Sequence, residues 1–163
     1  MIIKKEGFIL RPITLDDVDG YYECMQDKET QQGFMSFPQN INEARKEVEE
    51  LIDKSAQGIT EVFTIDVDGS YAGNVKLDWQ NWNPASGEGR VHLWLHPAFR
   101  GKGLATKALK AIIKYGFEEK EMHIIYAQCK KANKAICKVN EKAGFRFVEE
   151  RLVEGVEKLW WEI

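Results

Sequence analysis

The stretch His96-Pro97-Ala98-Phe99-Arg100-Gly101-Lys102-Gly103-Leu104-Ala105-Thr106 decides how this chain is read. Upstream, Glu88 to His96 alternates apolar and polar residues, the period of a half-buried strand. Downstream, Leu104, Ala105, Ala108, Leu109, Ile112 and Ile113 recur at helical spacing, to about Phe117. The glycines therefore stand where a strand becomes a helix. A helix start leaves its first N–H groups without intrahelical partners, and the dipole favours an anion there. Small residues let a diphosphate approach the main chain, and Lys102 and Lys107 add positive charge. The string is not a P-loop, which needs G-x-x-x-x-G-K-[ST], and not G-x-G-x-x-G, because position 106 is Thr. Arg100 to Thr106 reads as an anion cradle with unpaired amides. The plain alternative is a glycine turn that only connects two elements.

Working outward, Phe8-Ile9-Leu10-Arg11 reads as a first strand. Thr14 can cap a helix running to about Lys28, with Asp16 and Asp17 in its first turn. A loop, Gln31 to Pro38, leads to Asn40 and Glu43, an N-x-x-E start for a second helix striped by Ile41, Ala44, Val48, Leu51 and Ile52. Val62–Val67 and Tyr71–Trp79 are strands joined by Asp68-Gly69, a strong hairpin signal. After a polar loop and the Glu88–His96 strand come the helix from Leu104, a strand at Ile124–Ala127 and a helix from Ala132 to Ala143, stopped by Gly144. Phe145–Val148 and Lys158–Ile163 close the chain as a hairpin. The order β-α-α-β-β-β-α-β-α-β-β predicts one α/β (α+β) domain over residues 1–163. Its sheet is mixed, mostly antiparallel and six- to seven-stranded, flanked by helices. Two helices inserted after the first strand argue against a doubly wound nucleotide fold.

The 163 residues, 44% apolar and 30% charged, have the composition of a soluble globular protein. No apolar run approaches the ~18 residues of a membrane span, and the charged start is unlike a signal peptide, so a cytoplasmic location is expected. Cys24, Cys129 and Cys137, with His92, His96 and His123, show no zinc spacing, and reduced thiols without a metal are expected. Residues 1–90 carry nine Lys/Arg against seventeen Asp/Glu, whereas residues 91–163 carry fourteen against nine. A polyanion would bind the second half and a cation the first. A nucleic-acid partner is not expected, because the basic stretch lacks an aromatic-rich binding strand and the chain is net acidic.

On these residues the sequence resembles the GNAT superfamily of acyl-CoA-dependent N-acetyltransferases. "RGKGLA" fits every fixed position of the family's Arg/Gln-x-x-Gly-x-Gly/Ala motif. "NKAICKVNEKAGF" fits its second signature, an Asn (Asn133) opening a helix that ends in Gly144-Phe145. The layout from "RPITLDD" onward looks closest to the Rim-type and spermidine acetyltransferase branch. The resemblance implies acetyl-CoA as cosubstrate and direct transfer to an amine in a ternary complex, so Cys137 is left to packing. It implies that the strand before the turn splays from its neighbour at a bulge. Backbone groups of Leu93, Trp94 and Leu95 would then pair with the pantetheine arm. Arg100, Gly101, Lys102, Gly103, Leu104, Ala105 and Thr106 would surround the diphosphate, with Asn133 on the pantetheine. Lys130, Lys131 and Lys134 would lie within reach of the adenosine phosphates, or else form a solvated helix start.

A lysine-like amine, pKa ~10.4, arrives protonated and needs a base; a thiol, pKa ~8.5, leaves more easily. Many family members have Tyr at the position of Asn140, and Rim-type enzymes often have Glu at that of Gln128. An amide carries no proton at neutral pH. Beside Asn140, the candidates are His92 as base and Glu88 as its orienter or a base through water. Both lie on the face shared by Glu88, Arg90, His92, Trp94 and His96. His96, before Pro97, reads as structural, and Tyr126 as a hydroxyl near the leaving sulfur or a core residue. For the acceptor, Tyr21, Tyr22, Phe34, Phe37, Trp79 and Trp82 offer aromatic faces, and Asp16, Asp17 and Asp78 offer charge. The expected activity is acetylation of a primary amine: a protein N-terminus, a polyamine or a small molecule. The alternative is a CoA-binding sensor that has lost catalysis, which the two amides favour. Monomer and homodimer both stay open, since the last strand, with Trp160 and Trp161, could pair with another subunit or lie in its own sheet.

Overall fold

The computed structural model describes the backbone of residues 1–163 and the side chains of all but Trp82. Eight strands form one sheet: β1 (Ile3–Lys5), β2 (Phe8–Pro12), β3 (Thr60–Val67), β4 (Ser70–Trp79), β5 (Glu88–Leu95), β6 (Ile124–Lys130), β7 (Arg146–Val153) and β8 (Val156–Glu162). Their spatial order is β1-β2-β3-β4-β5-β6-β8-β7. The helices are α1 (Val18–Gln26), α2 (Lys28–Gln31), α3 (Ile41–Ala56), α4 (Leu104–Glu118) and α5 (Lys134–Ala143). Every neighbouring pair of strands is antiparallel except β5–β6.

Strand alternation divides the interior in two. Val91 and Leu95 of β5 join a core with Leu104, Ala108, Leu109 and Ile112 of α4. Trp94 faces the other way, into a second core with Tyr21, Cys24 and Met25 of α1 and Ala44 and Val48 of α3. One sheet thus has α4 on one face and α1 with α3 on the other, and β5 presents side chains to both.

The strand count exceeds the expected six to seven because Ile3–Lys5 forms a two-residue-turn hairpin with β2, closed by Gly7 at φ 84°. Its Lys4-Lys5-Glu6 charges hide it in the sequence, yet they suit an exposed edge. The first helix is also not continuous. Asp27 is extended (φ −72°, ψ 128°) and its carboxylate accepts from the Thr30 N–H at 2.9 Å, starting a new helical turn. β7 runs on past Val148 through the charged Glu149-Glu150-Arg151, again because it is an edge. β8 lies between β6 and β7, so its pairing is satisfied in its own sheet and the subunit-edge alternative for this strand falls away. Trp161 is buried there.

The feature that matters most is how β5 meets β6. They pair in parallel over only three positions, Glu88↔Ile124, Gly89↔Ile125 and Arg90↔Tyr126. Beyond Arg90, β5 keeps only β4, while β6 pairs with β8 as far as Lys130↔Lys158. Val91 to Leu95 therefore presents an open backbone edge to a gap. The bulge expected at the splay is absent from β5, whose register with β4 is unbroken from Gly89↔Trp79 to Leu95↔Gly73. The two strands part after Arg90↔Tyr126 while β6 keeps its register with β8 on the other edge. Gly73, at φ 147°, lets β4 close on β5: a Cβ there would lie 2.2 Å from the Trp94 carbonyl oxygen.

Candidate active site

The strand-to-helix turn lies at the open end of the gap. Pro97–Phe99 make one 3-10 turn, capped by His96, whose Nδ1 accepts from the Ala98 N–H at 3.2 Å. Gly101 and Gly103 follow at φ 77° and 74°, and a Cβ on either would meet no atom within 4 Å. Glycine is thus needed here for backbone conformation, and open space lies before the turn. Among the described residues, no protein acceptor takes the N–H of Gly101, Lys102 or Gly103, and Leu104, Ala105 and Thr106 open α4. Lys102 and Lys107 are exposed beside them. These groups fit a diphosphate.

Arg100 departs from its expected place in the cradle. Its own N–H donates to Pro97 O, and its guanidinium turns to α2 and β5, donating to Asp27 (2.7 Å), Glu29 (3.0 Å), Thr30 Oγ1 (2.8 Å) and Leu95 O (2.9 Å). Burial works against the Asp27 carboxylate, but Arg100 and the Thr30 N–H outweigh it and hold its pKa below the ordinary value. Arg100 is an anchor, and its charge is already matched. Lys131 is likewise committed, with Nζ 3.0 Å from Glu150 and 3.8 Å from Glu157 on the terminal hairpin. Asn133 caps α5, its Oδ1 accepting from the Ile136 N–H at 3.3 Å. Asn140 is buried and its Nδ2 has no partner.

On the face of β5 toward α1 and α3 lies a cavity of ≈ 170 Å³. Its walls are aromatic (Tyr21, Phe34, Trp94), and Glu47, Glu50 and Lys54 of α3 join Lys76 and His92 in lining it. Trp94 is held edge-to-face by Phe34, with centroids 5.2 Å apart, and by Tyr21 at 6.5 Å. The Glu47 carboxylate accepts from the Tyr21 hydroxyl at 2.8 Å. Burial raises its pKa, the Tyr21 bond opposes that, and the negative neighbours Glu50 and Glu43 add to the rise. In the lining, Glu47 and Glu50 are matched in number by Lys54 and Lys76, of which Lys76 is held by Asp78.

His92 stands on this face with Nε2 3.4 Å from Asp78 Oδ2, at ion-pair distance but out of line for a hydrogen bond. Asp78 is fully buried, takes the Thr60 hydroxyl on Oδ1, and has Lys76 Nζ 3.0 Å from Oδ2. Burial opposes its charge, yet His92, Lys76 and Thr60 together pull its pKa down to about 2. Burial pushes the His92 imidazole below its ordinary value, Asp78 partly restores it, and Lys76 and Arg90 lower it further. The balance leaves the imidazole holding its proton less tightly than a free histidine, with the Asp78 carboxylate beside Nε2.

Other expected positions fall elsewhere. Glu88 is four residues from His92 along β5, about 13 Å at strand rise, so the two do not meet; the carboxylate beside that ring is Asp78. Asp78 is correspondingly sealed from an acceptor, as is Asp17, which is buried in a knot with Arg11 (2.8 Å) and the Thr64 hydroxyl (2.8 Å). Asp16 is exposed outside the cavity. Tyr22 and Phe37 pack against the α1–α3 core, Trp79 against the other, and the Trp82 side chain lies outside the described residues. Glu47, Glu50, Lys54 and Lys76 were not singled out from sequence. The signal was their spacing: Glu47, Glu50 and Lys54 follow one another at helical intervals beside the Val48–Leu51 stripe.

A gap in the sheet, a glycine turn opening a helix and a lined cavity thus lie side by side. The acetyltransferase (GNAT) domain family matches residues 8–146, and the chain belongs to that family. Among curated relatives, spermidine N(1)-acetyltransferase of Escherichia coli (strain K12) is 27% identical over 146 residues, covering 89% of this chain and 76% of that protein. Two solved structures share the fold. A GNAT-family acetyltransferase from Bacillus anthracis superposes with TM-score 0.87 at 20% identity, over 100% of this chain and 98% of that one. The ribosomal L7/L12 alpha-N-protein acetyltransferase RimL, solved with coenzyme A, gives 0.88 at 18% identity, over 100% and 97%. No helix among the described residues is long and apolar enough to cross a membrane, and none of their His, Cys, Asp and Glu side chains cluster as a metal site.

Proposed function

We propose that residues 1–163 form one N-acetyltransferase domain that moves an acetyl group from acetyl-CoA to a primary amine by direct attack in a ternary complex. The observation that carries this reading is the open β5 edge, with the glycine turn at its end and His92 on its acceptor-side face. Bound acetyl-CoA supplies a thioester carbonyl and a thiol leaving group.

The chain's own residues do the rest. The N–H groups of Gly101 to Thr106 hold the diphosphate, with Lys102 alongside. The edge from Leu93 through Trp94 to Leu95 pairs with the pantetheine arm as an added strand does, and one of its N–H groups stabilises charge on the acyl oxygen. Asn133 caps its helix with Oδ1 and keeps Nδ2 for the arm or for a water beside it. His92, directly or through one water, takes the ammonium proton of the acceptor. Asp78, 3.4 Å from its Nε2, balances the charge the ring acquires. Glu47 and Glu50 attract the cationic acceptor, and Tyr21, Phe34 and Trp94 shape its path. Asn140 donates through Nδ2 but has no proton to give, so the thiol departs as thiolate. Protein N-termini, polyamines and small-molecule amines all meet these requirements.

The test is release of free CoA thiol from acetyl-CoA with a panel of N-terminal peptides, polyamines, aminoglycosides and amino acids, beside calorimetry with CoA. Turnover with at least one amine is expected. A second reading, a CoA-binding module without catalysis, is favoured by amides at Gln128 and Asn140. It predicts tight CoA binding and no transfer to any amine. Absence of CoA binding overturns both.

A further inference from the structure

Cys129 of β6 and Cys137 of α5 take no part in that scheme, yet their sulfurs lie 2.7 Å apart. The two thiols are in direct contact, with no side chain between them. Both are free. Cys129 is buried, held by the Trp161 indole N–H at 3.4 Å, and Cys137 is half-buried with Sγ 3.9 Å from the Lys130 carbonyl. One accessible sulfur and one sheltered sulfur in contact make an attacking and a resolving pair. Lys134 and Lys138, exposed on α5 on either side of Cys137, favour a negatively charged reagent. Cys24 is buried in the opposite core and has no cysteine near it.

We propose that Cys129 and Cys137 form a thiol-modification site, oxidised as a pair to an intramolecular disulfide by an anionic low-molecular-weight disulfide. The Cys137 thiolate attacks one sulfur of the reagent, forming a mixed disulfide and expelling one thiolate. Cys129 then loses its proton and attacks the Cys137 sulfur, expelling the second thiolate. Two protein thiols are oxidised, and one disulfide is reduced to two thiols. Burial and the neighbouring Cys137 push the Cys129 thiol up to about 12, so it reacts only with the sulfur already beside it. The product ties α5, which Asn133 caps, to the strand that forms the far wall of the gap. In a reducing compartment such a bond is transient.

The full chain, incubated with excess oxidised over reduced glutathione, acid-quenched and alkylated, gives the test. Free thiols should fall from three to one, the intact mass should drop by two hydrogens, and a peptide map should join 129 to 137. Retention of all three thiols, or a stable glutathionyl group on Cys137 beside a free Cys129, overturns the proposal. Cys129→Ala should stop at the glutathionyl adduct on Cys137. If that core variant does not fold, Cys137→Ser, at a half-buried position, should leave Cys24 and Cys129 free in the same buffer. Oxidation of Cys129 in Cys137→Ser as readily as in the parent also overturns it.

Discussion

The turn before α4 and the cavity against α3 are built in opposite ways. The turn offers main-chain N–H groups, and its residue types matter for what they lack: Gly101 and Gly103 carry no side chain where φ is positive and space is open. The cavity is made of side chains from α1, α3, β4, β5 and the loop that holds Phe34, each brought by a different element. A backbone site tolerates change anywhere except in its own few residues. A side-chain site is distributed, so each contribution is smaller and the whole is more easily retuned.

The sharpest way to break this comparison is at His92, the one cavity residue assigned chemistry. His92→Ala should lower kcat by about 10²–10³, within the range of a lost general base, while CoA affinity stays unchanged. Full turnover in that variant would remove the base. Next comes the turn. Gly103→Val places a β-branched residue at φ 74° and a side chain in the open space, and CoA affinity by calorimetry should fall about a hundredfold, near 3 kcal/mol. A KM for the amine that rises as much as that for acetyl-CoA would blur the two regions.

Asp78 tests how the cavity is held. Its carboxyl is pulled down from 3.8 to about 2, so its contribution, on the order of 2 kcal/mol, is present above pH ~3.8 and lost as pH falls toward 2. Asp78→Asn should flatten acid unfolding over that window. It should also move the acid limb of kcat/KM to lower pH, because the carboxylate raises the His92 pKa. Chemical denaturation and pH–rate profiles read the two effects separately. An unmoved acid limb would dissociate Asp78 from the reaction. The smallest effect is expected at the cavity mouth: Glu50→Gln should raise KM for a diamine several-fold, about 1 kcal/mol or less, and leave a monoamine nearly unchanged. Equal effects on both would deny Glu50 a role in charge recognition.

The same contrast governs what the sequence discloses. The turn is contiguous, so "RGKGLA" displays it, and the Asp68-Gly69 hairpin is displayed for the same reason, with both residues at positive φ (51° and 82°). Regular apolar stripes made α3 and α4 legible, and the Gly144 stop did the same for α5. The cavity was visible only in part: of the six aromatics read as acceptor faces, Tyr21 and Phe34 line it, core on one side and wall on the other, while Tyr22, Phe37 and Trp79 are packing. Asp78 and Asp17 looked like free charge because burial and cross-strand partners cannot be read along the chain. Glu88 looked adjacent to His92 because they share a face, yet strand rise separates them. Edge strands β1 and the end of β7 were missed because edges carry charges that resemble loops.

Arg100 has a wider effect than its own four bonds. By reaching from the segment before α4 to Asp27, Glu29 and Thr30 and to the last residue of β5, it clamps the glycine turn to the α1–α2 junction, a few residues before the loop that holds Phe34. Cutting the clamp would therefore be felt by both substrates at once.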